Sequence, residues 1–155
     1  MLMSNESNID IDLGWENNLA DLGGLVFEDV KYNGQYAAAA DSLITNAMVS
    51  LLAMDGTLIE TQNTDVNGKY LFTNVLPGSY YIKFEVGSEY LFTKANFGDD
   101  ATDSDVTSSI ENGSTDIMLV TVGMDSLEID AGIYRFASIG DYVFLDINED
   151  GIQNN

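Results

Sequence analysis

One stretch of this chain occurs twice, and an internal repeat restricts the fold to one that can be built from successive units. Residues 20–34 align with residues 137–151, and six of the 15 aligned pairs are identical, where chance gives about one. Residues 9–14 align with residues 127–132 at nearly the same separation. The repeat predicts three parts: the closing strand of a preceding unit or a linker at 1–18, a complete unit at 19–136, and the opening strand and half loop of a following unit at 137–155.

Within the complete unit, hydrophobic and polar side chains alternate over short segments, which is the pattern of a half-buried β-strand. In residues 79–86 the alternation places Tyr80 on the buried face and Tyr81 on the strand surface. Turn-forming pairs such as Asp55-Gly56 and Asn67-Gly68 separate about eight such segments. We predict an all-β fold, an antiparallel β-sandwich with one core.

The charge and composition of the chain exclude several classes of function. Asp and Glu total 26 against five Lys and Arg, so the formal net charge is −21, and we expect no nucleic-acid partner because phosphate contacts need clustered basic side chains. No stretch is long and apolar enough to insert into a membrane. The chain has no Cys and no His, which leaves no visible nucleophile–base pair, and we predict that it is not an enzyme.

The second copy of the repeated stretch carries the first half of an EF-hand-type calcium loop. Asp146, Asn148 and Asp150 alternate and are followed by Gly151, so that successive oxygens turn inward and the Gly allows the sharp bend. The acid expected at the twelfth position of such a loop lies beyond Asn155. These residues are therefore predicted metal ligands in an incomplete loop.

The matching loop in the complete unit is a weaker calcium site. Asp29 and Asn33 stand at ligand positions, but Lys31 replaces a second oxygen and the acid Asp41 comes one residue late. Two interpretations remain open. Either Asp29, Asn33 and Asp41 bind calcium, or the loop is a turn in which the Lys31 ammonium pairs with Asp29.

A second cluster places Asp99, Asp100, Asp103 and Asp105 within seven residues. Carboxylates this close repel one another and raise each other's pKa unless a cation neutralises them. We predict a calcium site here. Asp130 on the closing strand either adds a ligand to it or is an ordinary outward-facing strand residue. The alternative is a solvated acidic loop in a very acidic protein.

Several motifs together resemble known families of bacterial surface domains. Residues 64–82, with the Asn67-Gly68 hairpin and Pro77-Gly78, look like the signature of prealbumin-like (Greek-key) sandwich domains, which include the collagen-adhesin B-type domains. The opening stretch 140–153, the Asp103-Ser104-Asp105 loop and the closing stretch 129–134 resemble the calcium-binding B domains of serine–aspartate-repeat surface adhesins.

This resemblance implies a structural, calcium-stiffened repeat module of an extracellular adhesin, stalk or filament. The expected location is the cell surface or a secreted form, since the start of the chain carries no signal peptide and would belong to a mature fragment. The expected partners are neighbouring repeats or identical subunits placed end to end, which complete the terminal strands. The alternative is a sandwich that binds carbohydrate or a host protein.

Overall fold

The computed structural model describes residues 19–136 of the chain. Within that range, no helix is long and apolar enough to cross a membrane. The strands are β1 (Ala20–Glu28), β2 (Ser42–Leu43), β3 (Met48–Ala53), β4 (Leu58–Asn63), β5 (Lys69–Val75), β6 (Gly78–Glu85), β7 (Tyr90–Phe92), β8 (Met118–Val120) and β9 (Ala131–Arg135).

The strands form two sheets. One sheet has the order β2-β1-β9-β7, and β5 also pairs with β1. The other sheet has the order β4-β3-β6-β8. The predicted all-β sandwich is confirmed, and the pairs are antiparallel except for β1 with β9, which is parallel.

The core lies between the two sheets and is filled by aromatic and branched side chains. Tyr70 and Phe72, two residues apart on β5, point inward together, and the Tyr70 ring meets Phe72 and Phe84 edge-on with centroids 5.6 Å apart in both cases. Such edge-to-face pairs add to the stability that burial alone provides. The fully buried aliphatic residues of this core include Leu22, Val26, Val49, Leu51 and Ile82.

Two of the predicted glycine turns have the backbone that the sequence requires. Gly56 and Gly68 have φ values of +86° and +67°, which glycine adopts without strain. At Gly68 a side chain would also approach the Val26 carbonyl oxygen to 2.9 Å. These turns fix how β3 joins β4 and how β4 joins β5.

The prediction for Tyr81 was wrong. Residue Tyr81 is only 4% exposed. Residues 113–115 pair with the backbone of β6, and the Tyr81 hydroxyl donates to Glu111 at 3.1 Å. Tyr80, predicted to be in the core, is partly buried and packs against it. Alternation along a strand cannot show which distant residues contact its second face.

The parallel pairing of β1 with β9 sets the direction of the domain. Val26 lies opposite Ala131 and Glu28 lies opposite Ile133. The chain therefore enters at the start of β1 and leaves at the end of β9, at opposite ends of the sheet. The nine residues of β1 separate these ends by about 30 Å.

Candidate metal centre

The Asp-rich loop, residues 95–105, lies against a second loop that follows β1. Asp103 forms an antiparallel bridge with Gln35, and Ala95 forms a parallel bridge with Ser104. Within the Asp-rich loop, the amides of Thr102 and Asp103 both donate to the Asp99 carbonyl oxygen at 2.9 Å. This turn brings the acidic side chains that follow it onto one side of the loop.

Three carboxylates of this loop converge. One carboxylate oxygen from each of Asp100, Asp103 and Asp105 lies within 4.8 Å of the other two, and residues 19–136 contain no other such group of three or more acidic side chains. Asp100 is exposed, Asp105 is half-buried, and Asp103 is buried with 4% exposure. The group therefore extends from the surface inward, with Asp103 at its buried end.

Asp103 supplies the least satisfied polar atom of the group. Its Oδ1 is buried without a hydrogen-bond partner, the one side-chain atom of this kind in the described part of the chain. Burial raises the pKa of Asp103, and the nearby charges of Asp100 and Asp99 raise it further. A buried carboxylate oxygen without a donor is unfavourable unless a cation compensates it.

Asp105 and Asp130 connect the Asp-rich loop to β9. The Asp130 amide donates to Asp105 Oδ2 at 2.7 Å, and the Asp105 amide donates to the Asp130 carbonyl oxygen at 2.8 Å. Burial raises the pKa of Asp105 to about 6; the charges of Asp103 and Asp100 add to this, whereas the Asp130 amide lowers it.

Asp130 is buried beside this cluster, and its carboxylate contacts β1. Its Oδ1 accepts the Leu25 amide at 2.8 Å, and the side chain does not belong to the converging group of three. Burial raises the pKa of Asp130 to about 7; the Leu25 hydrogen bond opposes this, and the charges of Asp105, Glu128 and Asp103 add to it. Asp130 thus joins β1, β9 and the Asp-rich loop.

No basic side chain within residues 19–136 forms an ion pair with the three acids. The ion pairs of this range join Lys83 to Glu85 and Glu111, and Arg135 to Glu28, and none of them includes a member of the cluster. Hard cations such as calcium take six to eight oxygen ligands, and carboxylates are preferred. The donor set fits such an ion, and the three carboxylates form a group that can hold it.

The remaining predicted ligands of this region occupy different places. Asp99 is exposed, its carbonyl oxygen closes the turn of the Asp-rich loop, and its side chain lies outside the converging group. Asp146, Asn148 and Asp150 lie outside the described residues.

The loop after β1 uses its acids to hold its own backbone. Asp29 is 1% exposed, and its carboxylate accepts the Gly34 amide at 2.7 Å and the Thr93 hydroxyl at 2.6 Å, together with the Lys31 and Asn33 amides at 3.2 Å. Burial alone would raise the pKa of Asp29, but these hydrogen bonds lower it below its usual value.

Asp41 and Asn33 also bond to backbone amides. The Asp41 carboxylate accepts from Val30 at 3.1 Å and from Ala37 at 2.7 Å, and Asn33 Oδ1 accepts from Gln35 at 3.0 Å. The Lys31–Asp29 ion pair, one of the two interpretations of this loop, is not formed in the described residues, where Lys31 is exposed and bonds to Asp29 only through its amide. The loop keeps its shape through backbone donors.

Sequence reasoning missed Ser104, which is completely buried between two members of the cluster. Its hydroxyl accepts the Gly132 amide on β9 at 3.0 Å. The Asp-Ser-Asp order placed a small polar residue here, but no local signal in the sequence identified β9 as its partner. This contact fastens the loop to the sheet.

The chain is similar to known proteins in both sequence and fold. The SdrD B-like domain family model matches residues 20–133. Serine-aspartate repeat-containing protein F of Staphylococcus epidermidis is 38% identical over 151 residues, 96% of this chain and 9% of that protein. Serine-aspartate repeat-containing protein D of Staphylococcus aureus is 33% identical over 156 residues, 99% of this chain and 11% of that protein.

The chain therefore spans about a tenth of the length of the curated relatives it matches. Among solved structures, it resembles GBS52, a minor pilin of Streptococcus agalactiae, with a TM-score of 0.50 and 11% identity over 80% of this chain and 48% of the pilin chain. At this identity the likeness concerns the fold alone.

Proposed function

Because this chain belongs to the SdrD B-like domain family, we propose that its complete unit is a structural repeat module of a bacterial surface adhesin, stalk or filament, stabilised by calcium. In this proposal Asp100, Asp103 and Asp105 hold the ion. The observation that carries it is the convergence of three carboxylates, one of them with a buried oxygen that has no donor.

The position of this site explains why an ion there would stiffen the domain. The Asp-rich loop bonds to β9 through Asp105 and Ser104, and Asp130 continues the connection to β1. Without a cation the three negative charges push this loop apart. With a cation they hold it in place, and the strands that begin and end the domain are joined through it.

The topology supports a role in bearing tension. A force applied between the two chain ends pulls parallel β1 and β9 in opposite directions along their length. The hydrogen bonds between these strands, and those that join them through Asp130, then resist the force together rather than one after another. A stalk module requires this property.

The surface location and the partners of the module are part of the same proposal. The relatives are much longer than this chain, so neighbouring repeats or identical subunits placed end to end are the proposed partners, at the cell surface or in a secreted form. The role proposed for the module is structural and not enzymatic.

The direct test is thermal unfolding of the 155-residue chain in excess calcium and in excess chelator. An ion at a hundredfold excess over its dissociation constant stabilises the folded state by about 2.7 kcal/mol, which raises Tm by about 10 °C for a domain of this size. Asp103→Asn combined with Asp105→Asn should remove most of this rise.

Asp29→Asn combined with Asp41→Asn is the matched comparison, since these two acids bond to backbone amides. This variant lowers Tm in both conditions and keeps the calcium-dependent rise. An equal Tm with calcium and with chelator for the unaltered chain would refute calcium stabilisation.

A further inference from the structure

We propose that successive units dock directly, with the surface at the end of β9 of one unit covered by the surface at the start of β1 of the next. This inference rests on the proposed function as a repeat module. It assigns the contact to two surfaces of the described unit, the downstream surface (Val30, Lys31, Tyr32, Tyr134, Arg135, Phe136) and the upstream surface (Asp21, Met54, Asp55, Leu76, Val122, Asp125).

The length of chain between successive units is very short. Strand β9 ends at Arg135, and Ala137 is the counterpart, in the repeated stretch, of Ala20, with which β1 begins. Only Phe136 stands between them, and two residue steps span at most about 7 Å. This distance is shorter than the reach of the surrounding side chains, so no room remains for a flexible linker.

The downstream surface is apolar and aromatic where the chain leaves the sheet. Tyr32 follows β1, Tyr134 lies on β9, and their ring centroids are 4.6 Å apart. Val30 is 64% exposed and Phe136 is 51% exposed beside them. Large apolar side chains gathered around a chain exit indicate a surface that another domain covers.

The upstream surface gathers apolar residues from three connections around the start of β1. Ala20 pairs with Val75 just before Leu76, the Asp21 amide bonds to Asp125 in the loop after β8, and the Met54 amide bonds to Ser79 at the start of β6. The apolar side chains exposed there are Met54, Leu76 and Val122, each more than 60% exposed.

The two surfaces also differ in charge in a complementary way. The chain has five basic residues, and Lys31 and Arg135 both lie on the downstream surface, where the Lys94 ammonium sits 4.9 Å from the Tyr32 ring centre. The upstream surface carries Asp21, Asp55 and Asp125. Arg135 pairs with Glu28 at 3.2 Å, whereas Lys31 and Lys94 form no ion pair within residues 19–136. In a protein with a net charge of −21, these two ammonium groups favour an acidic neighbour, which the next unit supplies.

The test uses a double unit: the full chain in which a second copy of residues 20–136 follows directly after Phe136. The measurements are made in calcium. The sequence has no Cys, so Lys69→Cys in each unit, at an exposed position at the start of β5, provides two spin-label sites. Electron–electron double resonance should give one narrow distance distribution. Val30→Asp in the first unit, or Val122→Asp in the second, should abolish the narrow peak and leave a broad one.

Ile59→Asp is the matched control, because Ile59 is 52% exposed on β4, within neither surface, and it should keep the narrow peak. A broad distribution in the unaltered double unit, with both units melting as the single chain does, would overturn the docking proposal. So would a narrow peak that survives both interface changes. The calcium response of the single chain is measured separately, so docking and calcium stabilisation can fail independently.

Discussion

At the scale of single residues, the Asp103 carboxylate is the strongest reason to propose a cation in the Asp-rich loop. Its Oδ1 lies buried without a donor beside two further acids, whereas Asp29, equally buried, receives four hydrogen bonds. Burial and neighbouring acids raise the pKa of Asp103, while the donors around Asp29 lower the pKa of that residue. The number of hydrogen-bond donors around the carboxylate therefore distinguishes the candidate ion site at Asp103 from the turn that Asp29 stabilises.

This difference predicts opposite effects of Asp103→Asn in two conditions. In chelator the variant should be at least as stable as the unaltered protein, because a buried unpaired charge is removed. We expect its free energy of unfolding to be higher by up to about 1–3 kcal/mol. In calcium it should be the less stable protein. Asp99→Asn, outside the cluster, should leave the calcium response intact, and a large loss in chelator for Asp103→Asn would contradict the account.

The raised pKa values of Asp105 and Asp130 predict how stability depends on pH without metal. Their ordinary value is 3.8, and the folded protein raises these pKa values to about 6 and about 7. Between about pH 4 and pH 7 the unfolded chain has lost these protons while the folded protein retains them, so stability falls as pH rises. Chemical unfolding in chelator at pH 5 and pH 8 measures this fall.

Asp130→Asn keeps an acceptor for the Leu25 amide but cannot titrate, so the fall should be smaller in that variant. Calcium requires the ionised carboxylates, so its stabilising effect should grow over the same pH range. Constant stability in chelator from pH 5 to pH 8 would show that these acids are ionised throughout.

The sequence predicted part of this site for a clear reason. The spacing of Asp100, Asp103 and Asp105 places their carboxylates close together through local chain geometry alone. The burial of Asp130 depends on how the Asp-rich loop, β9 and β1 meet. Those contacts join residues far apart in the chain, which a single sequence does not reveal.

At the scale of elements, the Asp-rich loop acts as a clamp on β9. Ser104→Ala removes the acceptor of the buried Gly132 amide and should cost about 1–3 kcal/mol of unfolding free energy. Limited proteolysis should then cut more readily within residues 95–105, above all in chelator. Ser88→Ala, at an exposed position, is the control, and equal cutting of both variants would contradict the clamp.

Strands with strong alternation and glycine turns were predictable, whereas their pairing was not. Residues 79–86 and the turns at Gly56 and Gly68 follow from local pattern and backbone preference. Strand β2 has two residues, too few to form a pattern, and it exists because Leu43 pairs with Phe27. The parallel pairing of β1 with β9 joins the two ends of the unit, and no local rule specifies it.

At the scale of the whole molecule, a net charge of −21 makes the metal-free protein sensitive to salt. Repulsion among the acids opposes the compact state, and salt screens it over about 10 Å at 0.1 M. In chelator, Tm should rise as sodium chloride is increased from about 0.01 to 0.5 M. In calcium the rise should be smaller, and a Tm that falls with salt in chelator would contradict this balance.

In the domain as a whole, the start of β1 and the end of β9 lie at opposite ends of the sheet. The Asp-rich loop bonds to β9, and Asp130 continues this connection to β1. The calcium ion proposed between Asp100, Asp103 and Asp105 is central to its stiffness. A crystal structure of the 155-residue chain grown with calcium tests this ion most directly. We expect an ion with one oxygen of each carboxylate at about 2.3–2.6 Å; a calcium-saturated structure with no ion between these side chains, or with ions only at Asp29 and Asp41, would contradict it.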